Sequence, residues 1–233
     1  MGMKKKITVL TGAGVSAESG INTFRDADGL WEGHDVMEVA SPEGFRRNPE
    51  LVLNFYNERR RQLSKVYPNR AHTALVELEA YFDVSIITQN VDDLHERAGS
   101  KNVLHIHGEL LKVRSTGDQN LILDWQKDLN LGERCAKGHQ LRPHIVWFGE
   151  EVPLLEKAVA ITHEANILLI IGTSMQVYPA AGLVNYIKEG TPIYFIDPKP
   201  SVSEYDFNNL TIIPKKAADG VPHLVSTLIE KFR

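Results

Sequence analysis

The chain is poor in several things, and each shortage excludes something. It has one cysteine, Cys135, in 233 residues. An internal disulfide framework is therefore impossible, and the expected setting is the reducing cytoplasm. No apolar run approaches the ~20 residues of a membrane-spanning helix. Charge of either sign is modest, at a formal −4 with a pI of about 6.1. No global field draws such a chain to nucleic acid or to a membrane, and neither is expected as a partner. The opening "MGMKKKITVL" is basic and then apolar. Its apolar part is too short for a signal peptide and runs straight into "TGAG", which marks a first strand.

What is present is ordinary for a globular protein of one large domain: 42% hydrophobic and 24% charged residues. Three apolar, β-branched runs stop abruptly at glycine or polar residues: "KITVLTGAG", "FDVSIITQN" and "ANILLIIGTS". A fourth, "TPIYFIDPKPS", stops at an acid and two prolines. Strands buried on both faces have this pattern. Helical stretches alternate with them, at 68–81 and 179–190. The expected fold class is α/β, a Rossmann-like parallel sheet with helices on both faces. Residues 26–66 and 111–146 interrupt the alternation and are expected to form a smaller inserted lobe. The sheet would then be built from 1–25, 67–110 and 147–233, with a ligand cleft between the two parts.

The strand ends carry the chemistry. Gly12-x-Gly14-x-x-Ala17 follows the first run directly, as in a dinucleotide fingerprint. About 20 residues on, where a dehydrogenase places an acid at the end of its second strand, stands the loop "FRDADGLWEG". An ordinary dehydrogenase is thereby excluded. Gln89, Asn90 and Asp92 crowd the end of the second run; an Asx turn explains one acid but not the neighbouring amides. "GTSMQVYP" offers amides and hydroxyls at the end of the third. In "VLHIHGEL", His105 and His107 stand two residues apart. His107, followed by Gly108, is the better proton acceptor.

Five segments together resemble the sirtuin family, in that family's order: "GAGVSAESGINTFR" (12–25), "TQNVDDLHERAG" (88–99), "HIHGEL" (105–110), "LRPHIVWFGE" (141–150) and "GTSMQVYPAAGL" (172–183). The resemblance spans nearly the whole chain. It implies an NAD-dependent protein-lysine deacylase acting on acylated lysines of proteins, with release of nicotinamide and the O-acyl ester of ADP-ribose. By the same resemblance His107 is the general base, with Asn90 and Asp92 in the catalytic set. Gly12, Ala13, Gly14 and Ala17 would hold the pyrophosphate, and Phe24 and Arg25 would lie over the cofactor. Gln89, Asn90 and Asp92 would contact the nicotinamide ribose and carboxamide. Gly172, Thr173 and Ser174 would lie at the adenosine side, and Asp197 and Ala217 are further cofactor-binding candidates. Val146, Phe148 and Gly149 would pair with the substrate peptide as an added strand. Mono-ADP-ribosyl transfer and a non-enzymatic NAD or ADP-ribose sensor are the rival readings; a sensor needs no base at position 107.

The sequence departs from the family twice. Most sirtuins carry two Cys-x-x-Cys pairs that bind a structural zinc, whereas here "STGDQN" and "RCAKGHQ" stand at those places. Cys135 and His139 do not make a closed tetrahedral site, so no structural metal is expected. "LILDW" (121–125) is the expected apolar core of the smaller lobe. In "YFID", Asp197 replaces the family's common asparagine, which suits ribose hydroxyls and repels a 2′-phosphate.

One stretch remains, "NFYNERRRQL" at 54–63. Tyr56 and Arg59 stand three apart and share a helix face, where a hydroxyl and a guanidinium together can grip a carboxylate. The pair resembles the Tyr-x-x-Arg of sirtuins that remove succinyl and malonyl groups. Ala40 in "VASPEGF" matches the small residue that leaves room for the longer acyl chain. Arg60 and Arg61 are expected to be solvated.

Overall fold

The computed structural model describes residues 4–22, 30–203, 206–207 and 209–232. β1 (Lys6–Thr11) is buried over its last five residues and ends at Gly12 in two short 3-10 turns, Ala13–Val15 and Ala17–Ser19. The chain then leaves the sheet for a small hairpin, β2 (Leu30–Trp31) with β3 (His34–Asp35), and three helices: α1 (Val36–Val39), α2 (Pro42–Arg47) and α3 (Pro49–Leu63). Each helix starts on a side-chain cap, from Asp35, Ser41 and Asn48 in turn, and proline opens the last two. Caps and prolines break what would be one long helix into three.

α4 (Arg70–Leu78), β4 (Asp83–Thr88), α5 (Leu94–Ala98) and β5 (Val103–His105) return to the sheet. The predicted helix over 68–81 is shorter at both ends, because Asn69 caps it and the chain is already turning at Glu79. A separate antiparallel sheet follows, with β6 (Gly108–Ser115) between β7 (Ile122–Asp124) and β8 (Leu141–Ile145). α6 (Leu155–His163), β9 (Ile167–Ile171), β10 (Ile193–Ile196), β11 (Leu210–Ile213) and α7 (Ala217–Phe232) complete the chain.

The large sheet is parallel throughout, in the order β11-β10-β9-β1-β4-β5. From β1 the chain builds outward through β4 and β5, then crosses back to build the other way from β9. The switch point lies between β1 and β9, where ligand crevices of open α/β sheets form. One face of the sheet packs on α4 and α7 through Leu75, Leu78, Val221 and Leu228. The other packs on α6 and the segment 180–186 through Ala158, Leu183 and Val184. The Rossmann-like fold class is as the sequence led us to expect.

Three expectations fail. Residues 179–190 form only a 3-10 helix over Ala180–Tyr186, with Gly182 in its middle lowering α-helical propensity. "LILDW" is not the core of the smaller sheet: Ile122 and Leu123 on edge strand β7 are each 42% exposed. Leu53 of α3 packs there instead with Val113, Leu129, Cys135 and Leu141, and Trp125 only flanks them. Arg60 is not solvated either. It is 2% exposed, and its Nε donates to the Leu110 carbonyl at 3.0 Å and its Nη1 to Asn57 Oδ1 at 2.7 Å. A guanidinium can be buried when carbonyl oxygens replace its water. Only Arg61 meets solvent, paired with Asp128 at 2.6 Å.

α4 and α5 bury a pair of histidines, His72 and His95, with ring centroids 4.9 Å apart. Burial lowers His72 to about 4 and His95 well below the ordinary 6.5. The unfolded chain therefore binds more protons as pH falls below 6.5, so stability is full above 6.5 and is lost toward 4. His72 alone is expected to remove on the order of 2 kcal/mol between pH 7.5 and pH 5. His72→Gln keeps an acceptor for the Asn69 amide, which His72 Nδ1 accepts at 3.2 Å. Urea unfolding of this variant should show a visibly shallower loss between those two pH values; equal losses in both proteins would rule the pair out as the cause.

Candidate active site

A cleft of about 910 Å³ opens at the switch point and runs to α3 and the smaller sheet. At its floor the turns after β1 and β9 touch backbone to backbone. Gly14 N donates to Gly172 O at 2.8 Å and Gly12 N to Ile171 O at 3.0 Å. A Cβ on Gly14 would lie 2.6 Å from Gly172 Cα, so the fingerprint glycines are required first by this close packing. Asn69 ties the same loop to α4 through the Val15 carbonyl, and Glu18 ties it to α7 by accepting from Ala218 N at 2.8 Å.

The end of β4 supplies a polar network. Gln89 Nε2 donates to Thr173 Oγ1 at 3.0 Å, which bridges to the end of β9. Asn90 Nδ2 donates to Ser16 Oγ at 3.1 Å, and Ser16 Oγ donates to Asp92 Oδ2 at 3.0 Å. Asp92 Oδ1 accepts from Leu94 N at 3.1 Å, so the Asx turn is real, and it uses only one of the two oxygens. Burial pushes the Asp92 carboxyl above the ordinary range, against the Leu94 and Ser16 hydrogen bonds.

The two histidines of "HIHGEL" divide their work. His105, at the end of β5, is 7% exposed and engaged at both nitrogens, Nδ1 with the Asn90 carbonyl at 2.9 Å and Nε2 with Glu96 at 2.7 Å. Burial alone would lower it, but Glu96 raises it above the ordinary value. His107 lines the cleft. Its Nδ1–H donates to the Gln89 carbonyl at 3.2 Å, which leaves Nε2 as the basic nitrogen. Burial lowers its pKa, against that hydrogen bond, so the ring is neutral at neutral pH.

The far end of the cleft holds Tyr56, Arg59 and Ala40. Tyr56 is fully buried, and its hydroxyl oxygen accepts from Trp147 Nε1 at 2.9 Å. Burial pushes its ionisation up, so it stays a neutral phenol. Arg59 stacks on Phe55 at 4.9 Å and approaches Glu58 at 3.7 Å. Its Nε and Nη1 are buried with no hydrogen-bond partner among the described residues.

The profile of the Sir2 family matches residues 12–179, more than half of the chain. The chain belongs to the Sir2, or sirtuin, family. It is 58% identical over 226 residues to an NAD-dependent protein deacylase of Helicobacter pylori, covering 97% of this chain and 98% of that one. It is 52% identical to an NAD-dependent protein deacylase of Bacteroides thetaiotaomicron, at 97% and 98% coverage. Among solved structures, a Sir2 homolog–NAD complex matches with a TM-score of 0.88 at 39% identity, over 99% of this chain and 91% of that one. A Sir2 variant with deacetylated p53 peptide and 3′-O-acetyl-ADP-ribose matches at 0.79 and 26% identity, over 98% and 94%.

In this Sir2 chain the cleft gathers every described residue to which the sequence analysis gave a catalytic, cofactor or substrate role: Gly12, Ala13, Gly14, Ala17, Ala40, Tyr56, Arg59, Gln89, Asn90, Asp92, His107, Val146, Phe148, Gly149, Gly172, Thr173, Ser174, Asp197 and Ala217. Phe24 and Arg25 lie outside the described residues. Sequence reasoning missed Ser16 and Trp147. Ser16 is a serine within the glycine loop, and nothing in its spacing shows that it will meet Asn90 and Asp92. It also missed that segment 146–148 has spent its amides: Val146 N on His107 O, Trp147 N on Glu150, and Phe148 N on Ala40 O. Among the described residues no three His, Cys, Asp or Glu side chains stand together as a metal site. Cys135 Sγ instead donates to Ser115 Oγ at 3.3 Å. None of the described helices is long and apolar enough to cross a membrane.

Proposed function

We propose that the protein is an NAD-dependent protein-lysine deacylase whose preferred acyl groups end in a carboxylate, succinyl and malonyl before acetyl, and that it works in the cytoplasm. The observation that carries the acyl preference is that Nε and Nη1 of Arg59 are buried without a hydrogen-bond partner among the described residues, in a residue that lines the same cleft as Tyr56. Unpaired buried donors cost stability, and a bound carboxylate would satisfy them.

The cleft suits a dinucleotide. Its floor is backbone at Gly12, Gly14 and Gly172, where a side chain on either loop glycine would strike the opposite turn. Asp197, 2% exposed at the end of β10, stands where ribose hydroxyls could be accepted. NAD supplies the leaving nicotinamide and the ribose to which the acyl group passes. The chain's own part is to position and to move a proton. Asn90, Ser16 and Asp92 form a fixed polar wall, and His107 Nε2 accepts a hydroxyl proton. Arg59 and Tyr56 hold the distal end of the acyl chain.

The test is mass spectrometry after incubation with NAD and one peptide bearing acetyl-, malonyl- or succinyl-lysine. Acyl loss from the acidic peptides, faster than from the acetyl peptide, is expected. Faster acetyl loss rejects the preference, and a peptide gaining the mass of ADP-ribose makes the protein a transferase. NAD is expected to be used well and NADP poorly, since Asp197 repels a 2′-phosphate; equal rates at matched concentration would remove Asp197 from the ribose site.

A further inference from the structure

Segment Val146–Glu150 carries a hydrogen-bond chain that the proposed proton transfer does not need. Arg114 Nη2 lies 3.0 Å from both oxygens of the Glu150 carboxylate. Arg142 Nη1 donates to Oε1 at 2.6 Å and Nη2 to Oε2 at 3.1 Å. Trp147 N donates to Oε2 at 2.8 Å. Burial would raise the Glu150 carboxyl, but the two guanidiniums hold it below the usual range. The Arg142 guanidinium also covers the Trp147 ring, 3.3 Å from its centroid. β6 and β8 thus fix the position and tilt of an indole that is itself 2% exposed.

That indole ends on Tyr56, its Nε1–H reaching the phenol oxygen at 2.9 Å. A phenol proton prefers the ring plane and has two sites there. A donor on one side of the oxygen leaves the other side for the proton. Among the described residues nothing accepts that proton. We propose that Trp147 is a specificity-determining positioning residue: clamped by Glu150, Arg114 and Arg142, its indole N–H turns the Tyr56 hydroxyl into a fixed donor for an acyl carboxylate held by Arg59. Fixing a donor before binding avoids the entropy of ordering it afterwards. An acetyl group has nothing to receive the bond, so the clamp acts on selectivity. This inference rests on the acidic-acyl reading above.

The test uses the full chain with Trp147→Phe, which keeps an aromatic ring under Arg142 and deletes the N–H. Steady-state rates and calorimetric Kd are measured for succinyl and acetyl peptides. The succinyl KM and Kd should rise about tenfold, with kcat changed less, and the succinyl-to-acetyl ratio of kcat/KM should fall about tenfold. Glu150→Gln should move the same ratio in the same direction by a smaller factor, and it decides the matter alone if the phenylalanine variant does not fold. A ratio unchanged within twofold, or equal losses on both peptides, overturns the inference. If the wild type prefers succinyl and loses that preference in Arg59→Met, such a result rejects only the role of Trp147. If the wild type has no such preference, the acidic-acyl reading and this inference fall together.

Discussion

Replacing His107 with alanine is expected to lower turnover on an acyl-lysine peptide by ~10²–10⁴-fold, the usual contribution of a positioned general base. The ring is suited to the role by three features: it lines the cleft, its Nδ1–H is committed to the Gln89 carbonyl, and burial keeps it neutral at neutral pH. Because a lowered pKa keeps the base unprotonated, the acidic limb of the rate profile should lie below pH 6.5, the ordinary histidine value. NAD affinity, measured by calorimetry, should change little, since a base for proton transfer is not what holds the dinucleotide. His105, with both nitrogens engaged, has no free site to offer in its place. A His107→Ala enzyme turning over within threefold of wild type would show that another group takes the proton.

Arg59→Met is expected to cut kcat/KM for a succinyl peptide by about 10–100-fold and to leave the acetyl peptide much less affected. A charge-assisted hydrogen bond contributes ~1.5–3 kcal/mol, and only the succinyl substrate loses one. The loss should fall mainly in KM, because Arg59 meets the distal carboxylate rather than the reacting carbonyl. The same substitution makes an unusual stability prediction. Buried donors without partners cost ~1–3 kcal/mol, so removing them in the free protein should leave the Tm unchanged or raise it. Parallel losses on both peptides would make Arg59 a structural residue, and a markedly lower Tm would mean that its nitrogens are satisfied in solution.

The run "ERRRQL" shows how the two levels of information divide. Sequence spacing alone puts Tyr56 and Arg59 on one helix face, because residues three apart on a helix are neighbours. It does not settle the fate of the other two arginines. Both look like surface charge, yet Arg60 is buried against the Leu110 carbonyl while Arg61 reaches Asp128 near the surface. What β6 brings against α3 decides this, and no local pattern records it. The error over "LILDW" has the same origin. An apolar run reads as a core strand, but β7 pairs only with β6 as an edge strand, and its side chains stay half in solvent.

The sequence by itself determined the class of fold, because β-branched runs closed by glycine and polar turns have few other ways to bury both faces. It determined the catalytic candidates as well, since those residues sit in short segments whose order along the chain carries the resemblance. Tertiary structure alone decided which atoms remain free. Ser16 joins Asn90 and Asp92 across seventy and more residues, Glu150 draws two arginines from separate strands, and the indole of Trp147 reaches Tyr56 from 91 residues away. The first depends on the pairing of β1 with β4, the second on that of β6 with β8, and the third on how the smaller sheet closes against α3. Their energies come from burial and from hydrogen-bond direction, and neither quantity is defined until the chain has folded.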